Sequence, residues 1–242
     1  MRRKKGSSSS ERAFTRLELV VGLLTLGLLA AIALPGLALS RVRSEQVNCA
    51  SNLRQVGHAA HVWANDHGDR TPWVTPESEG GTRGTANLFK PNPWFQIGAM
   101  SNELATPKIL ICPSDQVGGP RKMANDFSSG PGGFFNTGYR NNALSYTIGL
   151  HAVFELSRTI LSGDRNLRYD VINVGCSLGF MNAGSINGGT SLVVWTNSIH
   201  GTTGNLLFSD GSVEELSTAG LRQVLADLRQ DDNGSYHFLT PP

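Results

Sequence analysis

Residues 14–39 read FTRLELVVGLLTLGLLAAIALPGLAL, and what this stretch is decides what the remaining chain can be. From Leu19 to Leu39 there are 21 residues without a charge. As one helix at ~1.5 Å per residue they reach across a ~30 Å hydrocarbon core, so the sequence predicts a membrane-spanning helix. Arg2, Arg3, Lys4, Lys5 and Arg12 precede it. A basic flank of this kind holds the N-terminus in the cytoplasm and sends the following chain outward. Glu18 is the exception inside the pattern, because a carboxylate at the edge of an apolar helix is costly unless a cation meets it.

The basic leader, the small residue Ala13, and then Phe14, Thr15 and Glu18 before an apolar helix resemble the cleavage and methylation segment of type IV prepilins and type II secretion pseudopilins. The resemblance covers residues 1–66. It implies that a prepilin peptidase cuts between Ala13 and Phe14 and methylates the new Phe14 amine. It also implies that Glu18 meets the Phe14 ammonium of a neighbouring subunit during assembly. The partners implied are that peptidase, other pilin or pseudopilin subunits, an inner-membrane assembly platform and membrane lipid. The implied location is the inner membrane, as a single pass with a cytoplasmic N-terminus and an exported head. Two residues depart from the family pattern: Ala13 stands where glycine is usual, and Arg16 where an apolar residue is usual. The competing expectation is an ordinary secretory signal, with Ala31 and Ala33 as a small-x-small cleavage site.

With 39% hydrophobic and 17% charged residues, 28 Gly and 11 Pro, the chain reads as globular and rich in loops. Its formal charge of +2 comes from the leader. Without residues 1–13, 16 Lys+Arg face 18 Asp+Glu, a balance of −2. A nucleic-acid partner therefore loses its main electrostatic support.

Past Leu39 the helical pattern continues. Pro35 and Gly36 mark a kink or local opening. Val42, Cys49, Leu53, Val56, Ala60 and Trp63 then form one apolar stripe, and Gly68 is a helix stop. His58 and His61 lie off the stripe without acidic or cysteine partners at helix spacing, and read as solvated. The expected fold class is α+β and pilin-like: a long N-terminal helix, with a transmembrane half and an amphipathic half, packed on a C-terminal antiparallel sheet. The expected parts are a leader at 1–13, a transmembrane helix at 14–39, its amphipathic continuation at 40–68 and an exported head at 69–242.

Residues 69–142 are irregular, with Trp73, Phe89, Trp94, Phe95, Phe134 and Phe135 as scattered anchors. Apolar runs at 108–112, 144–150 and 159–162 predict strands. The Gly-rich stretches 130–133 and 184–189 predict loops, without the strand and helix context of a phosphate-binding turn. Cys49 lies on the helical stripe and Cys112 opens CPSD just after an expected strand, so the two could form a disulfide; buried free thiols are the alternative, and Cys176 is left over. No CxxC pair exists, which argues against zinc and thioredoxin-like sites.

Residues 198–217 read SIHGTTGNLLFSDGSVEELS. The expected hairpin has strands at 205–209 and 212–216, joined by Asp210 and Gly211. His200, nine residues and then Asp210-Gly211 resemble a C-terminal signature of a pilin-like family of bacterial exported proteins. That family also has pieces resembling CASNLRQVG (49–57) and CPSD (112–115). A structural role is expected for His200, Asp210 and Gly211, with the His200 ring folded back to the hairpin corner. A helix bearing Leu221, Val224, Leu225 and Leu228 follows, then an edge strand at 235–239. His200, Asp210, Asp164 and His151 could assemble as metal ligands or an acid–base set, but no hydrolase or metalloprotease motif frames them. The expectation is therefore a subunit that is no enzyme and takes no metal or cofactor; a tethered exported binding protein is the other reading.

Overall fold

The computed structural model describes residues 15–84, 92–115, 121–156, 158–169, 171–172, 184–187, 192–227 and 235–242. The chain divides into two compact units, Met1–Arg43 and Ser44–Pro242, and helix α1, Arg16–Asp66, runs through the division. In the first unit the described apolar side chains of α1 are exposed, among them Leu17, Leu23, Leu28 and Ile32.

The expected membrane span is corrected. Among the described residues no helix is long and apolar enough to cross a membrane. On that finding the expected transmembrane helix and the inner-membrane single-pass location are not upheld. The expected fold, in which a long two-part helix lies on a C-terminal sheet, falls with them. What α1 contributes to the second unit is residues 44–66. Their buried side chains Cys49, Leu53, Val56, Ala59, Ala60 and Trp63 join a core drawn chiefly from the irregular segment 71–144, including Trp73, Trp94, Leu110 and Phe134.

A seven-stranded sheet runs through the second unit. Its strands are β1 (Tyr146–Gly149), β2 (Ile160–Asp164), β4 (Val171–Ile172), β5 (Gly184–Asn187), β7 (Thr203–Phe208), β8 (Val213–Ser217) and β9 (Ser235–Leu239), in the order β4-β5-β9-β1-β2-β7-β8. Every pairing is antiparallel. β3 (Leu167–Tyr169) and β6 (Val193–Trp195) form a second, two-stranded sheet.

The period of two in a strand distributes the core. Leu207 faces the cluster shared with α1, while its neighbours Leu206 and Phe208 face a second cluster with Trp195 and with Leu221 and Leu225 of helix α3 (Thr218–Asp227). Helix and sheet touch closely at one place. A Cβ on Gly57 would lie 2.8 Å from Leu207 Cδ1, so a side chain there would force Leu207 to shift where α1 meets β7.

Three local expectations change. Residues 107–110 form a 3-10 turn, Pro107–Leu110, rather than a strand, because Pro107 sits at the first position and Thr106 caps it. Gly184–Asn187, expected as loop, is strand β5. β9, expected at an edge, lies between β5 and β1, which explains why Tyr236, His237, Phe238 and Leu239 are all buried.

Candidate functional site

The second unit gathers its polar groups around one disulfide. Cys49 of α1 is bonded to Cys112, with Cα atoms 4.8 Å apart. Cys112 opens a turn closed by the Asp115 N–H donating to the Cys112 carbonyl at 3.0 Å, and Pro113 supplies the fixed φ that the second position of such a turn favours. One helical turn beyond Cys49, Asn52 Nδ2 donates to the Ile111 carbonyl at 2.9 Å. The CASNLRQVG and CPSD stretches thus build two walls of one site.

His200 supplies the third. It sits in a tight turn before β7, where Thr203 Oγ1 donates to the His200 carbonyl at 2.9 Å and Gly201 takes a φ of 66°. The imidazole is directed inward: Nε2 lies 3.4 Å from Cys112 Sγ and 3.4 Å from Asp164 Oδ2. Asp164 ends β2, is fully buried, and accepts on Oδ2 from the Asn205 backbone N–H (2.7 Å) and Nδ2 (2.9 Å). Asp164 Oδ1 and His200 Nδ1 have no hydrogen-bond partner among the described residues.

His200 and Asp210 do not meet. Six residues of β7 separate them, about 20 Å of extended chain, and they serve opposite ends of that strand. At the far end the Gly211 N–H donates to the Phe208 carbonyl and the Phe208 N–H to the Ser212 carbonyl, both at 2.9 Å. The corner therefore has three residues rather than two, with Gly211 at φ 81° in the left-handed position that such loops reserve for glycine. Asp210 Oδ1 accepts from the Ser212 N–H at 2.9 Å. Burial pulls the Asp210 carboxyl up, but the bonds from Ser212 and the Arg158 charge outweigh it and hold the carboxyl below its usual range. His200 is thus a site residue, whereas Asp210 and Gly211 shape a turn.

Of the other candidate residues, His58 is exposed and His61 is half-buried, its ring 4.6 Å from that of Phe154. His151 is paired with His237 at 2.9 Å, away from Asp164 and His200. Ala13, Phe14 and Cys176 lie outside the described residues. Glu18 is described, and it closes a capping box at the start of α1. Thr15 Oγ1 accepts from the Glu18 N–H, while Glu18 Oε2 accepts from the Thr15 N–H and hydroxyl, each at 3.2 Å. Thr15-x-x-Glu18 is the sequence signal for that box, and the prepilin reading passed over it.

Burial sets the charge of the pair in the site. It pushes the Asp164 carboxyl up to about 7, against the two bonds from Asn205, with the charges of Asp115 and Glu215 adding to the rise. Burial also lowers the His200 imidazole, against the pull of Glu215, Asp115 and Glu45. Near pH 7 the 3.4 Å contact therefore joins a neutral imidazole to a carboxyl close to half-protonated rather than an ion pair.

The two groups give opposite pH slopes. Asp164, raised in the folded state, contributes stability that is present near pH 4 and lost as pH rises through 7. His200, lowered in the folded state, makes stability fall as pH drops below ~6.5. Chemical denaturation of the parent and of Asp164→Asn from pH 4 to 8 measures this. The variant should gain on the parent as pH rises from 4 to 7, by at most roughly 4 kcal/mol. Parallel pH curves would show that Asp164 titrates as an ordinary carboxylate.

Comparison with protein-family models, with curated proteins and with solved structures returned no match. The pilin and secretion identities suggested by residues 1–66 accordingly have no family match behind them.

Proposed function

We propose that the chain is a pilin-like assembly subunit, cut by a prepilin peptidase between Ala13 and Phe14, that joins other subunits through the N-terminal part of α1. One observation carries this reading: Leu17, Leu19, Leu23, Leu24, Leu28 and Ile32 are each between 59% and 74% exposed. Adjacent pairs such as Leu23 and Leu24 point about 100° apart on a helix, so the apolar surface is not a single stripe. A helix that is apolar on all sides is normally covered, and like helices from other subunits would cover it. Glu18 supplies the one charge in this region beyond Arg16. Its role is to receive the Phe14 ammonium of a neighbour, exchanging the capping box for an intermolecular contact.

Two substitutions separate charge from cap. Glu18→Gln keeps a side chain able to close the capping box but removes the carboxylate, whereas Glu18→Ala removes both. Each variant is co-expressed with tagged parent chain, and its share of cross-linked assemblies is measured. Both should be incorporated about tenfold less well or worse, the scale set by losing a hydrogen bond to a charged group. Incorporation of Glu18→Gln at the parent level, with Glu18→Ala depleted, would reduce Glu18 to a helix cap. N-terminal analysis of the assembled chain should find N-methylated Phe14 as the first residue, and any other start removes the peptidase from the proposal.

A further inference from the structure

We propose that the buried cluster around His200 is a redox-controlled zinc site, closed while Cys49 and Cys112 are joined and open to metal when they are reduced. Cys49 Sγ, Cys112 Sγ and His200 Nε2 all lie within 4.8 Å of one another, and all three residues are buried. Asp164 adds a fourth group, its Oδ2 3.4 Å from the same ring nitrogen.

The distances suit the metal. A tetrahedral zinc with Zn–N and Zn–O bonds of ~2.0–2.2 Å and Zn–S bonds of ~2.3 Å separates its ligand atoms by about 3.3–3.8 Å. Both the Cys112 Sγ to Nε2 and the Asp164 Oδ2 to Nε2 separations are 3.4 Å. Two thiolates, an imidazole and a carboxylate form a donor set that selects zinc over magnesium or calcium.

An independent observation marks the place as a ligand site. Asp164 is fully buried, yet its Oδ1 has no hydrogen-bond partner among the described residues, an arrangement that protein interiors avoid. Asn205 meanwhile holds Oδ2 with two N–H donors, the kind of support that orients a ligating carboxylate. Oδ2, already 3.4 Å from the imidazole nitrogen, can therefore ligate the metal while Asn205 orients it, with the unpartnered Oδ1 as a second donor.

The chemistry balances with a phosphine or a dithiol as reductant. Two electrons break the S–S bond and two protons give the thiols; the phosphine takes up a water oxygen and becomes its oxide, or the dithiol closes to its own disulfide. Zinc binding then releases both thiol protons to solvent. Disulfide and metal are alternative closures of the same loop, so the second unit would keep its α1 anchor in either redox state.

The test uses the full chain in a Cys176→Ser background, unfolded in denaturant with a phosphine and refolded under nitrogen with zinc or with chelator. The reduced chain should retain one zinc per molecule after desalting and melt several degrees higher with zinc than with chelator. The oxidised chain should hold no zinc and be indifferent to chelator. Cobalt in place of zinc should give the intense visible bands of a tetrahedral thiolate site. His200→Gln and Asp164→Asn should each lower zinc affinity tenfold or more, a size typical of metal-site residues. Zinc retention well below one per chain, or unchanged affinity in His200→Gln, overturns the proposal. So does a reduced chain that is no more stable with zinc than with chelator, since a ligand that binds the folded state raises its stability by mass action.

Discussion

Replacing Cys49 and Cys112 together by alanine should destabilise the second unit by about 4 kcal/mol. The bridge closes a loop with a sequence separation of 63 residues, and opening a loop of that length returns about this much conformational freedom to the unfolded chain. Segment 71–115 gives the effect its importance. Its described residues carry little regular structure beyond α2 (Pro93–Gly98) and short 3-10 turns, and the bridge ties its far end to α1. For a unit of this size the change corresponds to a melting temperature lower by roughly 10 °C. Reduction of the parent chain in the presence of chelator should reproduce most of the loss. Alanine is the proper replacement because both sulfurs are buried and a serine hydroxyl there would need a partner of its own. Equal denaturation midpoints for the parent and the double variant would show that the core holds this segment without the bridge.

How far the fold could be read in advance depended on whether local pattern or tertiary context decided each element. The expected helical stripe is buried from Cys49 through Leu53, Val56, Ala60 and Trp63, because a 3.6-residue period survives any arrangement of what packs against it, whereas its first expected member, Val42, is exposed. The leucines at 221 and 225 follow the same logic in α3. β5 was hidden because GSIN has no alternation; Ile186 is buried, and the four-residue pairing with β9 makes it a strand. β9 was expected at an edge, but sheet order is set by long-range pairing that sequence position does not encode. The membrane reading of residues 14–39 came from counting uncharged residues, and among the described residues no helix is long and apolar enough to cross a membrane.

The site was half legible. Cys49, Cys112 and His200 stood out as residue types, yet the nine-residue spacing to Asp210 drew His200 toward the wrong partner. Strand geometry explains the error: a histidine before β7 and an aspartate after it mark the two ends of one strand. Of the four residues named as a possible ligand set, the structure brings Asp164 to His200, because Asp164 ends β2 beside it, while the next residue, Arg165, is directed to a different partner.

That different partner is Asp115, and its loss should be the most damaging single substitution in the second unit. Asp115→Ala is expected to cost about 3–5 kcal/mol, the range for breaking a buried ion pair from one side. Arg165 grips the carboxylate through both oxygens, Nε to Oδ2 at 2.7 Å and Nη2 to Oδ1 at 3.0 Å, and Arg121 Nε adds a third contact at 3.1 Å. The side chains of Asp115, Arg121 and Arg165 are 0%, 5% and 8% exposed, so removing the carboxylate leaves two cations with little water to receive them. Arg121 also donates to the carbonyls of Asn141 (3.0 Å) and Pro242 (2.7 Å), so the triad joins the CPSD turn, the end of β2 and the C-terminal residues. Burial alone would raise the Asp115 carboxyl, but Arg165 and Arg121 outweigh it and hold it below the usual carboxylate range. Its contribution should then be complete at neutral pH and fade only as pH falls below ~4 toward the folded value. Asp115→Asn, which keeps the shape and one acceptor, should lose less than alanine. Combining Asp115→Ala with Arg165→Met should recover part of the loss, because the uncompensated charge is the larger share of the penalty. Urea denaturation at pH 7 reads all of these. A double variant no more stable than Asp115→Ala would assign the cost to lost contacts rather than to stranded charge.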